Sequence, residues 1–361
     1  MDTLLHILQV LAFWALALAL LAWPLWPAWR EWRHPTDLNP LPVVRHHSGD
    51  ARSFAQHFGR WMHEQAEGPL RAATDAGANG QVLPFGRQRF RLLGAPAIWL
   101  NEQAGLVIDD GLVSLLSMYL PERTVCRWEV GSHGNLTLGP QVRVRAAVSG
   151  GDLQIGRSAQ IQRWADAQGQ AQAQDSAVIE GRLTSARAIH LGHGVRFSRL
   201  SAPRISVGTT VVPIVVPHLP QAWQPDQGEA MDASGETWRY PAALRLPAGA
   251  VVSHKLVVDG DLHIGAGARI EGDVKVQGTL TTDEGVVFLG AVVATEVARL
   301  GPHACAAGPV VGEDQVQLGL GVKVGSADQV TTVTGNHVAL AQGVLVHGSV
   351  WARSGGWTET P

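Results

Sequence analysis

The sequence predicts an all-β fold, a parallel β-helix, and three observations support this prediction. Between residues 256 and 280, apolar residues return every six positions in two series that lie two residues apart. The two apolar positions of each pair have the alternation of a strand, so both side chains face the same side. The residues between the pairs are rich in Gly and Asp, which suit tight bends. Segments 244–261 and 262–279 repeat the pattern as consecutive units of 18 residues, the length of one triangular turn of a coil. The two series are Val258, Ile264, Ile270, Val276 and Leu256, Leu262, Ala268, Val274, Leu280.

The composition limits the possible functions. The 361-residue chain has 41 glycines but only two tyrosines and seven phenylalanines, which suits glycine corners and a narrow aliphatic interior. A net charge of −3 offers no basic footprint for nucleic acid. Cys126 and Cys305 lie far apart in the sequence, which favours buried thiols in a reducing compartment over a disulfide. The IGAGAR segment lacks the end of a P-loop, and no ligand cluster has metal spacing, so we expect no nucleotide, cofactor or metal.

A transmembrane helix with an aromatic interface belt is predicted over residues 1–33. The first 29 residues contain one acid, Asp2, and no Lys, Arg or Glu, and the apolar run is long enough to cross a bilayer. Basic residues follow this run and none precedes it, which predicts a single-pass protein of the bacterial inner membrane with a cytoplasmic C-terminal body. A cleaved signal peptide is the rival interpretation, but a basic n-region is missing. The residues expected at the membrane interface are Trp23, Trp26, Trp29 and Trp32.

Five further segments follow the predicted helix. They are a Pro-rich linker with a short amphipathic helix (34–80), a first β-helix block (81–210), a Pro-rich excursion (211–243), a second β-helix block (244–353) and a polar tail (354–361). The short helix is expected from Asp50 to about Glu67, with Phe54, Phe58 and Trp61 on one face. That face lies either on a membrane or on the folded body, and both interpretations stay open.

Two phrases, LHIGAGARIEGDVKVQG and LTLGPQVRVRAAVSGGDLQIGRSAQIQRW, resemble the bactofilins, the polymer-forming cytoskeletal proteins of bacteria. The resemblance covers residues 130–208 and 244–352. It implies a right-handed parallel β-helix that polymerises end to end without nucleotide beneath the inner membrane. It also implies a scaffold role for cell-envelope or cell-shape proteins. The chain departs from the compact family pattern in its length, its N-terminal segment and the break at 213–241.

The predicted function is therefore a membrane-anchored, polymer-forming scaffold that assembles through the ends of its coil. An uncapped β-helix ends in a turn whose backbone N–H and C=O groups have no partner, and membrane anchoring raises the effective concentration of the chains. The expected partners are further copies of the chain, inner-membrane lipid and cell-envelope proteins. The residues expected in the self-association surface are Val338, Leu340, Val344, Val346 and Val350.

Two other functions stay open. A hexapeptide-repeat acyltransferase shares the six-residue motif and would use a histidine as general base. His190 and His193 in IHLGHG are the catalytic candidates for that activity, although a histidine on an outward strand face is usually only a surface residue. Further histidines near the strand pattern are His254, His263 and His303. The other possibility is a membrane-tethered adaptor that does not polymerise and binds a partner through the 213–241 excursion.

Overall fold

The computed structural model describes residues 51–77, 79–85, 88–94, 105–209, 220–223 and 237–360, together with isolated positions between 10 and 33. Residues 51–361 form one compact unit, to which the coils described below belong. Among its described residues, the helices are α1 (Ser53–Trp61) and α2 (Glu67–Asp75), joined by a π-helical turn over Met62–Ala66.

The described residues form 31 strands. The first two, β1 (Asn79–Phe85) and β2 (Gln88–Leu93), make an antiparallel hairpin. The strands that we call coil 1 are β3 (Val107–Ile108), β4 (Gly111–Ser114), β5 (Met118–Leu120), β6 (Val125–Ser132), β7 (Leu136–Leu138), β8 (Arg143–Ser149), β9 (Leu153–Ile155), β10 (Gln160–Ala167), β11 (Ala171–Ala173), β12 (Val178–Ser185), β13 (Ile189–Leu191) and β14 (Arg196–Val207). The strands that we call coil 2 are β15 (Gln221–Ala222), β16 (Thr237–Tyr240), β17 (Leu244–Leu246), β18 (Ala250–Val252), β19 (Lys255–Val258), β20 (Leu262–Ile264), β21 (Arg269–Ile270), β22 (Val274–Val276), β23 (Leu280–Thr282), β24 (Val287–Phe288), β25 (Val292–Ala294), β26 (Val297–Leu300), β27 (Cys305–Ala306), β28 (Val310–Leu318), β29 (Lys323–Val324), β30 (Thr331–Leu340) and β31 (Leu345–Thr358).

Within each coil, every turn lies parallel to the next turn. In coil 2, Leu262 of β20 pairs with Leu244 on one side and with Leu280 on the other, which is a pitch of 18 residues. Coil 1 repeats at almost the same pitch, since Leu136 of β7 pairs with Leu153 of β9. The β-solenoid has about 13 turns, and the predicted parallel β-helix is confirmed.

The apolar residues of the six-residue pattern fill the interior of both coils. Leu262 and Ile264 are buried, whereas His263 between them points outward. One continuous core of buried side chains runs through coil 1 and coil 2. The narrow interior therefore explains why aliphatic residues dominate the repeat.

The helices form a layer on one lateral face of coil 1. Phe58 and Trp61 are buried, and their rings lie 5.4 Å and 4.9 Å from the ring of Phe90 in β2, measured between centroids. Gly131 of β6 makes room for this layer, because a Cβ at that position would lie 2.7 Å from Sδ of Met62. Of the two interpretations of this segment, the structure supports packing on the folded body.

A buried ion pair holds the start of this helical layer. Arg52 donates from Nε and from Nη2 to the carboxylate of Asp166 in β10, with both distances at 2.7 Å. Thr184 donates its hydroxyl to the same carboxylate at 2.5 Å. Arg182 donates from Nη1 to the carbonyl of Ala51 at 2.9 Å. Side chains of β10 and β12 thus fix the point at which the layer begins.

The predicted transmembrane helix over residues 1–33 is contradicted. Among the residues that the structure describes, no helix is long and apolar enough to cross a membrane. A 3-10 turn covers Trp23–Leu25 and contains Pro24, which lacks the N–H that an uninterrupted α-helix needs. An apolar run has the composition of a membrane span but does not by itself make one continuous helix. The predicted single-pass inner-membrane location rested on this helix and is contradicted with it.

Parts of two predictions fall outside the described residues. Of the four tryptophans assigned to a membrane interface, Trp23, Trp26 and Trp29 are described and have exposed side chains, and Trp32 is not described. Most of the 211–243 excursion is also outside the described residues.

Candidate functional site

The last turns of the two coils meet in an antiparallel pairing, which we call the junction. Strand β14 of coil 1 pairs with β31 of coil 2, from Arg196 opposite Trp357 to Ser206 opposite Leu345. All other pairings among the described strands of the coils are parallel, so the two coils face each other with their C-terminal turns. The first turn of coil 2 therefore lies at the end remote from coil 1.

The junction joins the interiors of the coils. Leu200 of β14 lies opposite Val350 of β31, and both side chains belong to the continuous core. Phe197 lies opposite Gly356, where an added Cβ would overlap the phenyl ring. Glycine at this position therefore allows a large side chain of coil 1 to fill the end of coil 2.

Backbone and side-chain hydrogen bonds close the edges of the junction. The N–H of Gly343 donates to the carbonyl of Val207 at 2.8 Å, and the N–H of Val207 donates to the carbonyl of Val344 at 3.1 Å. The hydroxyl of Thr358 donates to the carbonyl of Gly192 at 2.8 Å and accepts the N–H of Val195 at 2.9 Å. These bonds satisfy backbone donors and acceptors at the edge of the last turn of coil 2, so this edge is not free along these residues.

The five residues predicted to form a self-association surface lie inside the coil. Each has an exposed fraction of 1% or less: Val338, Leu340, Val344, Val346 and Val350. Their side chains are part of the continuous core, and the backbone of β31 pairs with β14. The structure thus places their side chains in the interior beside the junction, and self-association between copies through this turn stays a prediction. The alternation that identified them as apolar strand residues also directs them inward.

The two catalytic candidates lie near the junction but have different surroundings. Nδ1 of His190 in β13 lies 2.7 Å from the hydroxyl oxygen of Ser206 on the next turn. Burial, and to a smaller extent the charge of Arg204, lowers the pKa of His190. Nδ1 of His193 lies 3.4 Å from the carbonyl oxygen of Glu359. Of these two histidines, only His190 contacts a side-chain hydroxyl, and a general base needs a hydrogen-bond partner of this kind.

A shallow groove of about 460 Å³ lies beside His190 and is also lined by Arg157 and Asp175. Asp175 accepts the backbone N–H of His193 at 2.9 Å, so its carboxylate already has a structural partner. The acyltransferase hypothesis stays a prediction for this groove.

The other histidines considered are separate from this groove. The ring of His254 stacks on Trp238 with centroids 4.4 Å apart, and Nε2 of His263 lies 3.3 Å from the carboxylate of Asp283. His303 occupies a corner with φ of 57°. Across the described part of the chain, no group of three or more His, Cys, Asp or Glu side chains could hold a metal ion.

The cysteines are not joined by a disulfide. Cys126 is buried and Cys305 is half-buried. Burial raises the pKa of Cys126 to about 12, so this thiol is unreactive.

An arginine-lined groove that the sequence pattern did not predict crosses the junction. Trp164 of β10, Arg182 of β12, Arg199 of β14 and Trp351 of β31 are direct neighbours on four adjacent strands. The groove has a volume of about 650 Å³. The residues that define this arginine groove are Arg163, Arg182, Arg199, Arg353, Trp164 and Trp351.

One sequence signal could have revealed part of this groove. Arginines recur at intervals of 17 to 19 residues, close to the pitch of the coil, at Arg127, Arg145, Arg163, Arg182 and Arg199. Such a spacing brings these arginines to the same side of the stack, and we call the five residues the arginine row. Arg163 is one position out of line, because its neighbour Trp164 lies opposite Arg182. Trp351 and Arg353 come from coil 2, and no spacing in the sequence indicates that they complete the row.

Comparison of the chain with protein-family models, with curated proteins and with solved structures found no match. The resemblance to bactofilins therefore rests on the two phrases quoted above.

Proposed function

We propose that this protein is a β-solenoid scaffold in which a single chain joins two coils into one stiff rod. The observation that supports this proposal is the pairing of β14 with β31, which makes one core of two coils. A stack of hydrogen-bonded turns with a continuous core resists bending. Its lateral faces offer other proteins long surfaces of constant geometry.

The junction replaces, within one chain, the contact that the sequence analysis assigned to neighbouring copies. Two separate chains lose translational and rotational freedom when they associate, at a cost of about 4–15 kcal/mol. Two coils of the same chain meet at a high effective concentration and avoid most of this cost. The turn that contains Val346 is therefore occupied in each copy, and we propose a discrete rod and not a filament built through this turn.

The first turn of coil 2 also supports a discrete rod. Trp238 and Tyr240 are buried there, at positions where the next turn has Leu256 and Val258. The ring of Trp223 packs on Trp238 with centroids 5.5 Å apart. Large aromatic side chains fill the narrow interior at this end and terminate its aliphatic stacking. Membership in the bactofilin family, with polymers that grow from the first turns, is the competing proposal.

The experiment that separates these proposals is negative-stain electron microscopy of the full chain without nucleotide, together with light scattering. We expect short rods with the mass of one chain, 38.5 kDa. Filaments or sheets would contradict the discrete rod and support the polymer that the bactofilin resemblance implies.

A variant beside the junction tests how much this part of the core stabilises the protein. Val346→Asp places a charge in the core, and we expect it to lower the free energy of unfolding by about 3 kcal/mol or more. The matched control is Val330→Asp, because Val330 is 62% exposed and should tolerate the charge within about 0.5 kcal/mol. Urea unfolding measures both. Wild-type stability in Val346→Asp would contradict the burial of this side chain in the core beside the junction.

The alternative function, a hexapeptide-type acyltransferase, is favoured by one observation, the short contact between His190 and Ser206. Its test is acetyl transfer from acetyl-coenzyme A to a panel of amines and sugars, with His190→Ala as the variant and His193→Ala as the control. Activity that His190→Ala abolishes and His193→Ala retains would support this function over the scaffold.

A further inference from the structure

We propose that the arginine groove binds an acidic peptide segment of a partner protein. The inference rests on the proposed scaffold function, for which it names the class of partner. Neither coil alone forms the groove, because β10, β12 and β14 belong to coil 1 and β31 belongs to coil 2. Closure of the junction therefore creates the site.

The charge along the arginine row changes where the row reaches the groove. Arg127 lies 3.0 Å from the carboxylate of Asp109, and Arg145 lies 3.6 Å from that of Glu129. Arg163 and Arg199, by contrast, form no ion pair with any other described residue. The first part of the row is thus neutralised by acids of the coil, and the groove keeps its positive charge.

Aromatic rings hold two of the guanidinium groups in place. The guanidinium carbon of Arg199 lies 4.1 Å from the centre of the Trp351 ring, and that of Arg182 lies 5.2 Å from the ring of Phe54. Stacking on a ring occupies one face of the planar guanidinium and leaves free the edge that carries the N–H donors. A carboxylate can accept two of these N–H groups. Stacking also reduces the side-chain entropy that is lost on binding. The groove is therefore preorganised to bind carboxylate groups.

The dimensions of the groove suit a short extended peptide. Four adjacent strands at about 4.8 Å spacing give a groove about 14 Å long, which an extended peptide of about four or five residues covers. Trp164 and Trp351 at its two ends can pack against apolar side chains that flank the acidic residues.

A peptide fits these observations better than a uniformly charged polymer does. Glu180 lines the same groove, and a polyphosphate or a sulfated glycan would bring a negative charge against it. A peptide can place an uncharged residue at that point. The net charge of −3 for the whole chain also disfavours long polyanions, whose binding extends beyond one groove.

The test is fluorescence anisotropy of a fluorescein-labelled Glu-Leu-Glu-Leu-Glu peptide with the full chain at about 0.1 M salt. Arg163→Glu reverses one unpaired charge of the groove and should weaken binding about tenfold or more, as expected for the loss of a charge-assisted hydrogen bond. The matched control is Arg143→Glu, since Arg143 is an exposed residue of β8 outside the groove and the change in net charge is the same. We expect the control to bind within about twofold of the wild type.

Three results would overturn the proposal. They are no binding by the wild type, equal weakening by both variants, and binding of a heparin fragment that is tighter than that of the peptide and equally sensitive to Arg163→Glu. Thermal unfolding of each variant checks that the fold is kept, and Arg199→Gln provides a second groove variant if Arg163→Glu is unstable. If the protein forms discrete rods that do not bind the peptide, only the peptide-binding proposal is rejected. If it forms filaments, the discrete-rod proposal is rejected, and peptide binding can still be measured.

Discussion

Coil 1 and coil 2 form the same corner once in each turn but place different residues there. The corner has a left-handed backbone in both coils. In coil 1 it is occupied by Arg123, Gln141, Ser158, Ser176 and Gly194, and in coil 2 by Gly249, Gly267, Gly285, His303, Gly321 and Gly343. Four of the five corners of coil 1 thus carry a side chain where coil 2 mostly has glycine.

Both kinds of corner make the same hydrogen bond. The N–H of Ser158 donates to the carbonyl of Asp175 on the next turn at 3.0 Å, and the N–H of Gly285 donates to that of Pro302 at 2.9 Å. A side chain in the left-handed region costs about 1–2 kcal/mol. In coil 1 a side-chain bond between neighbouring corners offsets part of this cost, since Nε of Arg123 donates to Oε1 of Gln141 at 3.0 Å. The stacking of turns therefore imposes the corner, and the residue adapts to it.

The coils also differ in how they use charge. Coil 1 buries Asp166, which is 2% exposed, under the start of the helical layer and pairs it with Arg52. In coil 2, the ion pair between Arg239 and Asp259 lies on an exposed face. The same chemical pair should contribute much more to stability where a second layer covers it.

The largest effect is expected from loss of the buried carboxylate in coil 1. Asp166→Asn removes one partner of a desolvated pair and should lower the free energy of unfolding by about 3 kcal/mol. Asp259→Asn in coil 2 is the matched control, with an expected loss below about 1 kcal/mol, because Arg239 is well exposed. Urea unfolding of both variants measures the difference. Equal losses would show that the helical layer does not strengthen the pair.

An intermediate effect is expected at the corners. Gly285→Ala should cost about 1 kcal/mol for backbone conformation alone, because the added Cβ would have no atom within 4 Å. Ser158→Gly relieves the same strain in coil 1 but loosens the unfolded chain, so a net gain of about 0.5 kcal/mol is expected. Thermal unfolding of the two variants provides the test. A loss in Ser158→Gly as large as that in Gly285→Ala would mean that coil 1 does not strain its corners.

The smallest effect is expected from the pH dependence of stability around His190. Its pKa is lowered from the ordinary value of 6.5, chiefly by burial, so the unfolded chain binds a proton more readily than the folded chain. The free energy of unfolding should therefore decrease as the pH falls below about 6.5. His190→Gln should make this decrease less steep, as measured by urea unfolding between about pH 7 and pH 5. An identical slope in the variant would exclude His190 as a contributor.

The repeat of the coils could be predicted because it is local. Leu262 and Ile264 show the alternation of one strand, and the following turn repeats it 18 residues later, so the sequence alone indicates a parallel stack. The burial of Phe58 and Trp61 could likewise be predicted, but not what they pack against, and Phe54, which was predicted on the same face, is 53% exposed. The proposed N-terminal span shows the limit of such reasoning, since apolar composition alone does not establish a continuous helix.

The role of Val346 and Val350 could not be predicted for a different reason. Their alternation correctly marks them as apolar strand residues, but whether their turn ends the rod depends on β14, whose Ile205 and Leu200 lie opposite them. The arginine groove depends on the same pairing, because only the junction brings Trp351 next to Arg199. Arg199 and Trp351 are about 150 positions apart in the sequence, and the repeat of the coils does not predict that they are neighbours.

The sequence by itself determined the period of the coil, the residues of its interior and the positions of its bends, because side-chain alternation and tight corners are properties of short segments. The tertiary structure decided which turns meet at the junction and which lateral face the helices cover. The edge of a strand presents the same backbone donors and acceptors whatever its side chains are, so its partner is chosen by the fit of whole turns. For this protein, that choice joins two coils into one core and places four arginines in one groove.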